Sequence, residues 1–133
     1  MFRKLSSYAD APARALMAAI FILSGVGKLG AVTATQGYMQ TYGVPSELLV
    51  PTIAFEIGAG VLLLVGFGTR VVAVLLAGFS LITAVVFHRD FSEQIQMIMF
   101  LKNLAMTGGF LAIAAHGAVG LSLDRLIAAW RRP

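Results

Sequence analysis

Four long apolar stretches divide the chain, at residues 11–29, 48–67, 71–87 and 95–115. Each is close to the roughly 20 residues that a helix needs to cross a bilayer core. They are apolar nearly all round rather than along one stripe, so four spanning helices are predicted. The third, VVAVLLAGFSLITAVVF, has no charge at all. Gly66-Phe67-Gly68-Thr69-Arg70 leaves so little chain between the second and third stretches that they must form an antiparallel hairpin. In the longest connection Tyr38, Met39 and Tyr42 recur at helical spacing before Gly43-Val44-Pro45, which predicts a short amphipathic helix at the interface. After the fourth stretch Ser122 is placed to cap a last short helix through Trp130, with Asp124 in its first turn and Arg131 and Arg132 at its end. Trp130 then reads as an interfacial anchor.

Composition agrees with lipid as the main solvent: of 133 residues, 59% are hydrophobic and 12% charged. The expected fold is therefore an all-α integral membrane protein, a four-transmembrane-helix bundle forming one domain over residues 1–133. Partners are the lipid bilayer and other membrane components, not nucleic acid. With no cysteine the chain has no disulfide, thiol relay or iron–sulfur ligand of its own. Arg3 and Lys4 before an apolar run, with Val32-Thr33-Ala34 behind it, look like a signal peptide, but three further spans call for an anchored first helix.

Charge distribution orients the helices. Arg3, Lys4, Arg70, Arg125, Arg131 and Arg132 fall on one side, whereas the opposite loops hold Arg89 with Glu47, Asp90 and Glu93. The positive-inside rule then makes both termini cytoplasmic in a multi-pass membrane protein.

Charges within the spans carry the candidate chemistry, because each costs at least ~2.5 kcal/mol at the bilayer centre. Counting from the outer face, Glu56 lies ~12 Å deep and Lys102 ~10 Å deep, so the two are expected to pair. Lys28 and His88 end their spans on the same side, and Asn103 and Ser24 are neutral partners nearby. The candidate binding cluster is thus Lys28, Glu56, His88, Lys102 and Asn103. Two ammonium groups against one carboxylate point to an anionic or carbonyl-bearing ligand. Arg14 shares the inward face of the first span, about 40° from Lys28, but sits near the other end, where Asp10 at i−4 and backbone carbonyls are its natural partners.

His88 and His116 lie at opposite ends of the spans, nearly the full ~30 Å apart, and cannot share a metal or haem. No metal site is expected. Gly58-Ala59-Gly60 and Gly108-Gly109 read as close helix contacts.

Arg14, F-I-L-S-G-V-G-K-L at residues 21–29, Gly43-Val44-Pro45, E-I-G-A-G-V-L-L-L-V-G-F-G-T-R at residues 56–70, His88, Lys102-Asn103 and S-L-D-R at residues 122–125 occur in one order along the chain. Together they resemble the DoxX-like family of small bacterial inner-membrane proteins. The resemblance implies four membrane helices and kinship to the small subunits of thiosulfate:quinone oxidoreductase. It also implies a redox partner protein, quinone as the candidate cofactor, and Arg14, Lys28, Glu56, Lys102 and Asn103 as the family's positions.

Three functions fit these residues. The foremost is a redox-associated membrane subunit that binds a small anionic or quinone-like molecule in the outer-half cluster. A transporter or proton-conducting protein would gate through Glu56 and Lys102, although Ser80, Thr83 and Thr107 make a sparse polar route. A non-catalytic assembly subunit, alone or as a homo-oligomer, would use the buried charges only to fix the helices.

Overall fold

The computed structural model describes residues 1–131; Arg132 lies outside the described residues, as does the side chain of Arg3. Six α-helices follow one another: α1 (Phe2–Leu29), α2 (Val32–Thr41), α3 (Leu49–Val65), α4 (Thr69–Phe87), α5 (Gln94–His116) and α6 (Leu123–Trp130), with a 3-10 turn at Ser46–Leu48 leading into α3. Helices α1, α3, α4 and α5 are long and apolar enough to cross a membrane. They correspond to the four predicted stretches. The end of the chain that carries both termini is called the terminal end below, and the opposite one the far end.

The first span begins earlier than its apolar pattern suggests. Helix α1 runs for 28 residues through Pro12, about 42 Å at the helical rise and longer than a hydrocarbon core. Pro12 removes one rung from the ladder, but the Asp10–Arg14 ion pair, with Nε 3.0 Å from Oδ2, bridges that turn across i and i+4.

Helix α1 packs along α3, and α4 along α5, while the two pairs meet mainly through α3 and α4. Gly60 lets α1 and α3 close up: a Cβ there would stand 2.7 Å from Ile22 Cγ1 and 3.4 Å from the Ala18 carbonyl oxygen. Gly58 and Gly108 have nothing within 4 Å of such a Cβ, so the close-contact expectation holds for Gly60 and not for those two. The core of Ala18, Phe21, Leu63, Leu76 and Phe110 joins all four spans. Phe21 meets Phe110 edge-on at 5.5 Å and Phe79 at 6.0 Å.

Side chains tie helix ends together at the terminal end. The fully buried Arg14 donates from Nη1 to the Leu63 and Leu64 carbonyls at 2.9 Å each, and from Nη2 to the Leu121 carbonyl. It therefore places its charge against the negative end of α3. Asp10 Oδ2 also accepts the Gly120 N–H at 3.0 Å. Arg70 donates to the Ala114, Ala115 and His116 carbonyls and so closes α5 in the same manner. Asp124 Oδ1 and Oδ2 accept the Gly68 and Thr69 N–H groups at 2.8 and 2.9 Å, capping α4 from another helix. Burial pushes the Asp124 carboxyl up, but the donors at Thr69 and Gly68, with Arg14 nearby, hold it net below the usual aspartate range. This cap is in place at neutral pH and is lost only as pH falls through that lowered value. Ser122 caps α6 as predicted, accepting from Arg125 N at 3.3 Å.

Gly66 makes the α3–α4 hairpin possible. Its φ of +70° ends α3 in a left-handed cap, with Phe67 N–H on the Leu62 carbonyl. A Cβ on it would meet Ser122 Cβ at 2.4 Å and Arg14 Nη1 at 2.7 Å. Gly68, at φ +60°, has open space instead. Gly68→Ala should therefore cost only backbone strain, about 1 kcal/mol, whereas Gly66→Ala adds overpacking against the Arg14 network and should cost about 3 kcal/mol. Thermal unfolding of the two variants in the same detergent, with Gly66→Ala melting well below Gly68→Ala, checks this.

Candidate functional site

Away from the terminal end the helix pairs diverge around a cavity of about 640 Å³. Its walls are mostly apolar, with Phe21 of α1, Leu49 of α3, Phe79 and Val86 of α4 and Met106 of α5 among them. Helix α2 closes it from above. Met39 is buried against Leu49 and Ile53, and the Tyr38 ring stacks on Phe87 at 5.6 Å while Tyr42 meets Phe87 edge-on at 5.3 Å. The short helix expected at the interface is thus also a roof. Burial, and then Tyr42 beside it, push the Tyr38 phenol up to about 12, so it stays neutral. Ile20, Ile82 and Met99 line the cavity and are nevertheless exposed, so it opens sideways at the level of the spans.

The polar wall is a closed network. Lys28 Nζ lies 2.8 Å from Glu56 Oε2 and 3.0 Å from Oε1, and 2.6 Å from Ser24 Oγ, which in turn donates to Glu56 Oε1 at 3.2 Å. Glu56 is 4% exposed. A lysine has three donor protons, and all three are engaged here. The network exists because Ser24 and Lys28 are one turn apart on α1, while the α1–α3 packing brings Glu56 beside them.

This corrects the expected Glu56–Lys102 pair, because Lys28 is the partner of Glu56. Lys102 is exposed and forms no hydrogen bond or ion pair among the described residues. The equal depths did not imply contact: Lys102 precedes Asn103 by one residue, about 100° around α5, and it is Asn103 that faces inward. The charge count changes too, since the cavity wall carries one ammonium and one carboxylate and has no surplus.

Asn103 lines the cavity, and its Nδ2 donates to the Met99 carbonyl at 2.9 Å, which leaves its side-chain oxygen without a donor among the described residues. His88 stands at the rim, its Nδ1 3.0 Å from Gln96 Oε1, joining the far ends of α4 and α5. Arg14 belongs to the terminal network, not to the cavity. Residues that the sequence did not single out are Thr52 and the Tyr38–Phe87 stack, for which the only hint was the Tyr38/Tyr42 spacing; Thr83, named there as part of a sparse polar route, lines the cavity.

Glu56 has the buried position, so its partner matters more than the reverse. Lys28→Met should leave a buried carboxylate with Ser24 alone and cost about 3 kcal/mol, whereas Glu56→Gln frees an ammonium that can reach solvent and should cost less. The double variant should be more stable than Lys28→Met, and Lys102→Met should melt like the parent. A double-mutant cycle by thermal melts in detergent tests all three statements; equal losses for Lys28→Met and Lys102→Met would contradict the pairing.

Comparison with known proteins places these features. The DoxX family model matches residues 9–89, a range that contains Arg14, Lys28, Glu56 and His88. Inner membrane protein YqjF of Escherichia coli strain K12 is 43% identical over 125 residues, which cover 94% of this chain and 96% of that protein. Inner membrane protein YphA of the same strain is 38% identical over 120 residues, covering 85% and 86%. No solved structure matches the chain.

Proposed function

The chain belongs to the DoxX family, and from that membership and the cavity we propose that it is a bacterial inner-membrane protein that takes a small, largely apolar, carbonyl-bearing molecule out of the bilayer. The observation that carries this reading is the 640 Å³ apolar cavity with the Lys28–Glu56 pair as its polar wall. Sites for small molecules have this composition, mostly hydrophobic with a few convergent polar groups. The inner-membrane location rests on the printed names of the two relatives and on the four apolar helices.

An electroneutral wall favours a neutral ligand over a free inorganic anion, which would have to leave water for an apolar chamber without a counter-charge. A quinone-like ring fits: its faces lie against Phe21, Phe79 and Phe87, and one carbonyl replaces Ser24 as acceptor of a Lys28 proton. The Asn103 amide and Thr83 hydroxyl lie on other walls of the same cavity for the second carbonyl. In this reading Glu56 holds Lys28 aimed at the chamber, and a redox-associated role follows from the ligand rather than from any redox group in the chain.

The basic residues Lys4, Arg70, Arg125 and Arg131 at the terminal end support cytoplasmic termini, with the roof helix α2 toward the periplasm. Single cysteines at Lys4 and Thr41 should then label from opposite sides, the latter from outside intact spheroplasts.

Calorimetry of the purified protein should show a short-chain quinone binding with a negative heat-capacity change and thiosulfate not binding. Thr83→Trp, which fills the chamber, should abolish the quinone signal, and Glu56→Gln should weaken it about tenfold. Thiosulfate binding without quinone binding would overturn the reading.

A further inference from the structure

Lys102 stands eight residues inside α5, and the described residues supply its ammonium with no partner. Its place on α5 follows from its neighbours. A Cβ on Gly109 would stand 2.9 Å from Met17 Cε of α1, and Phe110 meets Phe21 of α1, so this side of α5 faces α1. Lys102 lies within about 20° of Gly109 on the helical wheel and about 10 Å nearer the far end. Antiparallel α1 brings Ser24 to that level when Met17 is level with Gly109. At that height Ile20 of α1 and Met99 of α5, both exposed, border the cavity. Lys102 therefore stands on the α5 lip of the sideways opening, facing the seam that leads to the Lys28–Glu56 wall.

We propose that the α1–α5 seam is a binding site for one anionic phospholipid, its phosphate held by Lys102 and one acyl chain lying over Ile20 and Met99 as the door of the cavity. Charge decides the occupant. A second copy docked by this face across a twofold axis would set Lys102 against Lys102, and a zwitterionic lipid brings an ammonium of its own. Reach is shared between protein and lipid: side chains on a helix lean toward its N-terminus, here the far end, so a lysine ~10 Å inside the core lifts its ammonium on a ~6 Å stem to within ~4 Å of the core boundary, and local thinning draws the phosphate inward to meet it. The door function rests on the cavity reading above; the lipid site does not.

Native mass spectrometry after gentle extraction from membranes containing phosphatidylglycerol and phosphatidylethanolamine tests the site. The parent and Lys102→Arg should retain one phosphatidylglycerol per chain, and Lys102→Met should lose it, with retention falling about tenfold. Lys28→Met should keep it. Equal retention by the parent and Lys102→Met, or retention of phosphatidylethanolamine in its place, would overturn the site. A predominant dimer whose interface protects Lys102 from amine-reactive reagents would overturn it in favour of a second copy. In nanodiscs the short-chain quinone should reach the parent several-fold faster in phosphatidylcholine than in phosphatidylglycerol, and Lys102→Met should remove that difference. Quinone binding at equal rates in both lipids rejects the door alone, whereas quinone failing to bind in either lipid rejects the cavity reading and leaves the lipid retention result standing.

Discussion

A charge inside the hydrocarbon layer has to find its counter-charge or its hydrogen-bond acceptors within the protein, or reach the headgroups on a long stem, because the acyl chains offer neither. This constraint divides the molecule in two. At the terminal end the charges of Arg14, Arg70 and Asp124 are spent on backbone groups that helix ends leave open: the guanidinium groups of the two arginines close the carbonyl ends of α3 and α5, and Asp124 closes the amide end of α4. Toward the far end Lys28 and Glu56 satisfy each other. The first solution uses its charged groups to hold helices at fixed positions. The second leaves its polar atoms beside a cavity, where a ligand can reach them.

The motifs that carried the resemblance sort along the same division. Arg14, the G-F-G-T-R turn and S-L-D-R are adjacent in space although they lie near the start, at the middle and near the end of the chain. Their common product is a clamp on three helix termini. Lys28, Glu56, His88 and Asn103 all border the cavity instead. A chain that used buried charges only to fix its helices would have no need of the second set at the mouth of an apolar chamber, and this separation favours ligand binding over a purely structural role.

Much of this architecture was legible in the sequence, and the exceptions share one physical cause. Span number, the hairpin at Gly66, the roof helix and the Ser122 cap follow from apolar length, turn chemistry and capping preference, all local properties. Depth is local too, because residue count times helical rise gives it, and Glu56, Ser24 and Lys102 do share a level. Azimuth between helices is not local. Whether Lys28 or Lys102 meets Glu56 depends on how α1 and α5 are rotated about their axes, which the packing of Gly60 and Gly109 sets and no count along one helix reveals. Asp124 shows the same limit: its place in the first turn of α6 suggested service to its own helix, but the fold turns its carboxylate to α4.

The cavity's position follows from where that packing is tight. Near the terminal end small residues and the arginine clamps draw the spans together, with Ala18, Ala59 and Ala77 in a core capped by three ionic ties. Toward the far end no equivalent clamp spans the pairs: the Lys28–Glu56 bridge lies within the α1–α3 pair, and His88–Gln96 lies within the α4–α5 pair. Aromatic contacts cross between them instead, of Tyr38 and Tyr42 with Phe87 through the roof and of Phe55 with Phe79 beside Glu56. A stack of rings adds about 1 kcal/mol beyond its burial, far less than charged ties to buried carbonyls. The ties that join the two helix pairs are thus charged at the clamped end and apolar at the other, so that in the proposed reading a ligand entering from the bilayer displaces apolar contacts while the ion pairs stay intact.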